Sequence, residues 1–199
     1  MKKLNSVLVD QSLILLGEIL AFRKRPPHHF VVCGGSSLLA LSLVSRSTTK
    51  DVDILAKVEN RELKQPKPLP DWFLEDAKDV QSQLDLPENW INDGPADDLF
   101  FRFGLPEGIE SRLTGRAYGD CLKISFISRY DQIFFKLYAA VDQSVGSYHY
   151  HDLTDLKPTE DELKAAISWI FKQDDSEGFR MVLREVLNHL GFGGLGHEL

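Results

Sequence analysis

The sequence predicts an α/β (α+β) fold, a mixed β-sheet flanked by helices with a C-terminal helical part. Three observations carry this. Phe30, Val31 and Val32 form a short apolar run closed by Gly34-Gly35, as a buried strand entering a turn would. Asp51-Val52-Asp53-Ile54 alternates carboxylate with apolar residue, the period of a strand whose two faces differ. From residue 129 onward the apolar residues recur at helical spacing, as in Ile133, Phe134, Leu137, Ala140 and Val141. The expected division is a core over residues 1–128 and a helical region over 129–199.

Composition sets the outer bounds. Of 199 residues, 43% are hydrophobic and 27% charged, enough for a packed core without long disorder. The formal net charge of −7 argues against broad, nonspecific nucleic-acid binding. The start, MKKLNSVLVDQSLILLGEIL, superficially resembles a signal peptide. Asp10, Gln11 and Glu18 interrupt it, so it reads as an amphipathic helix of a cytoplasmic protein without a membrane span. Cys33 and Cys121 read as small core residues rather than a disulfide or metal pair.

Taken in order, Leu4 to Phe22 is a helix whose broad apolar face includes Val7, Leu13, Leu16 and Leu20. Arg23-Lys24-Arg25 reads as its solvated end before Pro26-Pro27, and His28-His29 as a surface loop. A helix then opens at Ser36-Ser37, either of which is a natural N-cap. KVENRELKQPKPLP reads as a polar loop or short helix, with Lys57, Arg61, Lys64 and Lys67 able to flank an anion. Asp71 to Leu84 is a helix. LPENWINDGPADDLFF reads as a turn with two functions open: Trp90 as a lid on the core, or Asn92 and Asp93 beside a substrate. Glu110–Ala117 and Cys121–Ser128 read as a hairpin turning at Tyr118-Gly119-Asp120. Leu122, Ile124 and Phe126 share one face of its second strand, Lys123 and Ser125 the other. Arg129 to Asp142 is a helix carrying Lys136 within an apolar run, where a lysine must snorkel or meet an anion. Asp152 and Asp155, three apart, share a helical face. Thr159 with Glu162 forms a capping box for the next helix. SEGFRMVLREVLNHLGF is a last amphipathic helix, and GGLGHEL is expected to fray.

The chemistry concentrates at 34–53. Two carboxylates two apart on a strand leave the same face and repel unless a cation lies between them. A hard divalent ion with oxygen ligands resolves this, and a glycine turn lets backbone N–H groups approach phosphates. Gly34-Gly35-Ser36 followed by Asp51-Val52-Asp53 resembles the signature of the nucleotidyltransferase superfamily, with its polymerase-β-like fold. The closest likeness is to the AbiEii/MenT-type branch, whose members are often toxins of toxin–antitoxin or phage-defence pairs. Arg46 and Thr49 are the nearest matches to residues that precede the acidic pair in that branch. Ser128, Asp131, Lys136, Leu137 and Ala139, then His151-Asp152-Leu153-Thr154-Asp155-Leu156, resemble its second half. W-x-N-D-G-P at Trp90 is similar as well.

The resemblance implies a Mg²⁺- or Mn²⁺-dependent enzyme that moves a nucleoside monophosphate from a nucleoside triphosphate to a hydroxyl acceptor. RNA or protein are candidate acceptors, and a cognate antitoxin is a candidate partner. Asp51 and Asp53 would be the metal ligands and, with Asp152, the catalytic acids. Gly34, Gly35, Ser36 and Lys136 would bind the nucleotide, and Asp155 would support. One departure is plain: the strand that often bears a third carboxylate offers Lys123 instead. The alternative is an inactive nucleotide- or protein-binding module of the same fold. A metal site from His149, His151 and Asp152 has suitable donors but no supporting cluster.

Overall fold

A computed structural model describes residues 3–99 and 104–197. It divides into two compact units, Met1–Ser128 and Arg129–Leu199.

The first unit is built on a six-stranded mixed sheet in the order β3-β2-β1-β6-β5, with β4 also on β2. The strands are β1 (His28–Cys33), β2 (Val52–Glu59), β3 (Glu62–Lys64), β4 (Ile91–Asn92), β5 (Thr114–Ala117) and β6 (Leu122–Phe126). β1 runs antiparallel to β2 and parallel to β6. Helix α1 (Ser6–Phe22) is capped at its start by Asn5, whose Oδ1 accepts from Leu8 N at 2.8 Å. Leu13, Leu16 and Leu20 of α1, with Phe73, Ala77 and Val80 of α3 (Asp71–Leu84), join Phe30, Val32, Ile124 and Phe126 in one core. Val7, expected on the buried face of α1, points outward.

Several polar stretches are more ordered than their sequence indicated. β2 continues through Lys57-Val58-Glu59 and turns at Asn60-Arg61, both at positive φ, into β3. Two positive-φ residues between paired strands make the twist-matched two-residue hairpin. The expected loop is therefore a hairpin as far as Lys64 and irregular only from 65 to 70, and Lys57 and Lys64 both pair with Glu59. His28 and His29 belong to β1 rather than to a loop. His28 packs 5.1 Å from the Trp72 ring, and His29 Nε2 lies 2.8 Å from Ser125 Oγ. Burial, then the nearby Lys123 charge, lowers the His29 pKa. β5 starts at Thr114, because Ile109–Arg112 forms a 3₁₀ turn. After β4, α4 spans Gly94–Leu99, and the Phe100-Phe101 end of LPENWINDGPADDLFF lies outside the described residues.

The basic end of α1 is not merely solvated. Arg25 Nε donates to Asp76 Oδ2 at 3.0 Å, Arg23 donates to Asp76 Oδ1, and Arg23 Nη2 reaches Asp79 at 2.6 Å. Asp76 has 0% side-chain exposure, against 39% for Arg23 and 27% for Arg25. Burial pushes the Asp76 carboxyl up, but hydrogen bonds from Arg25 and Arg23 outweigh it and hold the carboxyl below its ordinary range. A depressed folded pKa contributes stability that is present above the unfolded value, about 3.9, and lost as pH falls through the folded one. Asp76→Asn is expected to cost about 2–3 kcal/mol at pH 7, because each arginine can still reach water. In urea unfolding, the gap between wild type and variant should narrow below about pH 4. A pH-independent gap would contradict the assignment.

The second unit is helical: α5 (Arg129–Gln143), α6 (Tyr148–Leu156), α7 (Glu160–Ile170), α8 (Glu177–His189) and α9 (Gly193–His197). Leu137, Ala140, Leu153, Leu163, Ala166, Ile170, Leu183 and Leu187 are among its buried apolar residues. The Thr159–Glu162 capping box opens α7. Arg129 Nε donates to the Leu156 carbonyl at 2.8 Å, satisfying an orphan acceptor at the end of α6, and its guanidinium pairs with Glu162 at 2.6 Å. That contact, foremost, keeps the Glu162 carboxyl below its ordinary range. The expected frayed tail is the short helix α9 up to His197.

Candidate active site

The predicted site residues fall into two clusters, one in each unit, and each is described within its own unit.

In the first unit, β1 ends at Cys33, which pairs directly with Asp53 on β2. The next residue, Gly34, begins α2 (Gly34–Ala40) at φ +65°. The helix thus starts two residues before Ser36, with Cys33 at the N-cap and no side-chain cap, so neither Ser36 nor Ser37 has the expected capping role. A Cβ at Gly34 would stand 2.5 Å from Asp53 Oδ2, so the Asp53 carboxylate lies against the Gly34 Cα. A Cβ at Gly35 would collide with Thr49 Oγ1 and stand 2.6 Å from Arg46 Nη2. The glycines make room for three side chains that arrive with the returning chain. Positive φ at the first adds a backbone reason for glycine. Ser36 is buried, and its Oγ donates to the Cys33 carbonyl at 3.3 Å.

Asp51 precedes β2 and Asp53 is its second residue. β4 lies parallel to this end of β2, with Val52 opposite Ile91 and Asp53 opposite Asn92. Asn92 Nδ2 approaches Asp53 Oδ1 at 3.4 Å, and Asn92 Oδ1 accepts from Gly94 N at 2.9 Å. Of the two readings open for this stretch, the packing of Trp90 on the core is what the structure shows. Trp90 is 1% exposed with Nε1 bonded to the Ala77 carbonyl at 2.9 Å, while Asn92 reaches the acidic pair. Asn92 also helps line an open cleft of about 1030 Å³, whose wall includes Asp51, Asp71, Glu88, Asp93 and Asp97. Among the described residues the cation on that wall is Lys67, which bonds to Asp97 and lies 3.9 Å from Asp93. Lys67 is thus engaged by this chain's own carboxylates, and the same holds for Lys57 and Lys64 with Glu59.

Lys123 and Ser125 lie on β6, separated from β2 by β1, and Lys123 is exposed. Among the described residues no group of three or more His, Cys, Asp or Glu is placed to hold a metal ion. The donors that are present suit a small hard cation. Mg²⁺ uses one or two carboxylates and fills its other positions with water and substrate phosphate. Asp51 and Asp53 are the two carboxylates that would hold such an ion.

In the second unit, Lys136 of α5 is buried and meets an anion rather than snorkelling. Its Nζ lies 2.8 Å from Asp152 Oδ2 on α6, with side-chain exposures of 4% and 2%. Nζ also lies 3.3 Å from His149 Nδ1 and 5.7 Å from the centre of the Tyr148 ring. An ammonium only donates, so His149 Nδ1 accepts. Asp131 is buried in the first turn of α5, Asp155 is half-buried one turn after Asp152, and His151 is exposed. His149 Nδ1 is therefore committed to a lysine, which leaves little of the His149–His151–Asp152 metal alternative.

Comparison of the chain with protein-family models, curated proteins and solved structures returned no match.

Proposed function

We propose that this chain is a nucleotidyltransferase of polymerase-β-like fold, related to the AbiEii/MenT-type branch. With Mg²⁺ or Mn²⁺ it would move a nucleoside monophosphate from a nucleoside triphosphate to a hydroxyl of RNA or protein. The setting proposed is the cytoplasm, as a toxin–antitoxin or phage-defence component held by a cognate antitoxin. The observation that carries this reading is the meeting of two sequence elements. Asp53 pairs with Cys33 and lies against Gly34, while Arg46 and Thr49 lie against Gly35. The glycine turn and the acidic strand thus form one constellation at one end of the β1–β2 pair.

In this reading Asp51 and Asp53 bind the ion through carboxylate oxygens, and Asn92 orients Asp53. The ion, when bound, neutralises charge at the α-phosphate. The acceptor hydroxyl gives up its proton to water as its oxygen bonds to the α-phosphorus, the bond to the bridging oxygen breaks, and pyrophosphate leaves with that bonding pair. In this reading Arg46, whose guanidinium lies beside Gly35, would contribute to holding the phosphates on this unit. Lys136 and Asp152 enter through the resemblance, as a phosphate ligand and an acid that orients the acceptor. Their ion pair means that a phosphate must share Lys136 with Asp152. That same pairing favours the second reading, an inactive nucleotide- or protein-binding module.

Calorimetric titration of ATP, CTP, GTP and UTP, with and without Mg²⁺, separates the two. Metal-dependent binding of at least one triphosphate, lost in Asp53→Ala, is expected. Absence of metal-dependent binding to all four counts against the enzyme.

A further inference from the structure

Helix α1 is apolar on two opposite faces. A helix apolar all round is ordinarily buried all round. Here one face enters the core through Val9, Leu13, Leu16 and Leu20, yet Val7, Ile14 and Phe22 on the other are 61%, 47% and 87% exposed. At 100° per residue these three fall on one stripe with exposed Gln11 and Glu18. The stripe therefore reads apolar, polar, apolar, polar, apolar along the helix.

That order is its own complement in reverse. An antiparallel copy centred between residues 14 and 15 sets Val7 against Phe22 and Gln11 against Glu18, and brings the two Ile14 residues to the centre, about 1.5 Å apart along the axis. The only polar groups on the stripe then meet as amide donor and carboxylate acceptor, twice, flanking an apolar centre. A parallel copy would set Glu18 against Glu18. We infer that α1 is a homodimerisation helix, in which the Val7–Gln11–Ile14–Glu18–Phe22 stripe packs antiparallel on that of a second copy, with the two-fold axis beside Ile14. An isologous contact of this kind closes at two chains. One helix face is smaller than the usual interface of about 1,600 Å², so a micromolar monomer–dimer equilibrium is expected.

Sedimentation velocity of the full chain from about 1 to 100 μM should show this equilibrium, with Ile14→Glu weakening it at least about tenfold. Gln11→Lys should tighten the dimer by facing Glu18 with a cation, and Gln11→Glu should weaken it. Both sites are exposed, and an unchanged melting temperature verifies the fold of each variant. Under mild oxidation Ile14→Cys should cross-link and Val7→Cys should not, because the two copies of residue 7 lie about 22 Å apart along the axis. The inference is overturned by a monomer at every concentration, by a dimer indifferent to Ile14→Glu, or by Gln11→Lys and Gln11→Glu acting in the same direction. Cross-linking of Val7→Cys as readily as Ile14→Cys would equally rule out the antiparallel register.

Discussion

Asp53→Asn is expected to reduce nucleotidyl transfer about a thousand-fold, the rate equivalent of several kcal/mol of lost transition-state charge stabilisation. The substitution keeps the size and a hydrogen-bonding oxygen but removes the charge. Asp53 occupies the position where the two halves of the constellation touch, opposite Cys33 and against Gly34. If the carboxylate binds the ion, higher Mg²⁺ should recover part of the lost rate, and metal-dependent nucleotide binding should weaken in parallel. If Asp53 is only structural, the variant should show a lower melting temperature with its metal dependence intact. Asp51, in the cleft wall, should behave as a metal ligand too. Asn92→Ala should be milder, because in this reading Asn92 acts through the Asp53 carboxylate that it approaches at 3.4 Å.

The largest stability effect is expected at Lys136. Lys136→Met removes the cation 2.8 Å from Asp152, which is 2% exposed. Breaking a buried pair by removing one partner costs about 3–5 kcal/mol, because the remaining charge has been taken out of water. For a chain of this size that corresponds to a fall in Tm of roughly 6–20 °C. The double variant Lys136→Met/Asp152→Leu should recover much of the loss, since apolar replacement of both partners is often neutral. A Lys136→Met variant within about 1 kcal/mol of wild type would show that the pair contributes little to the second unit. Nucleotide affinity adds a functional readout. A double variant that is restored in stability and still binds nucleotide would remove Lys136 from the binding site.

Much of the architecture was legible because apolar period and local chemistry agree. The mixed sheet flanked by helices, the run of C-terminal helices and the Thr159–Glu162 capping box all follow from such agreement. What was hidden has physical causes. The register between β1 and β2 shifts between Val31 and Val32, so Ile54, Leu55 and Ala56 are all buried and the Asp51–Ile54 alternation stops short. The second half of β2 is polar and turns through Asn60-Arg61, where an arginine at positive φ gives no turn signal. Arg23 and Arg25 look like a solvated helix end because Asp76, their partner, lies about fifty residues away in the chain. Arg46 could not be placed by spacing; the fold sets it against Gly35. Asn92 was one of two open readings, and only the parallel pairing of β4 with β2 brings it to Asp53. Val7 has the composition of a core residue and lies on the wrong side of α1 for that core.

The most direct test of the account is transfer of label from each α-³²P-nucleoside triphosphate, with Mg²⁺, to a total RNA and protein extract, beside Asp51→Ala and Asp53→Ala. The account predicts label moving to a macromolecule with wild type alone, which would also tell RNA from protein as the acceptor. Equal labelling by wild type and both variants, or none from any triphosphate together with no metal-dependent binding, would contradict it.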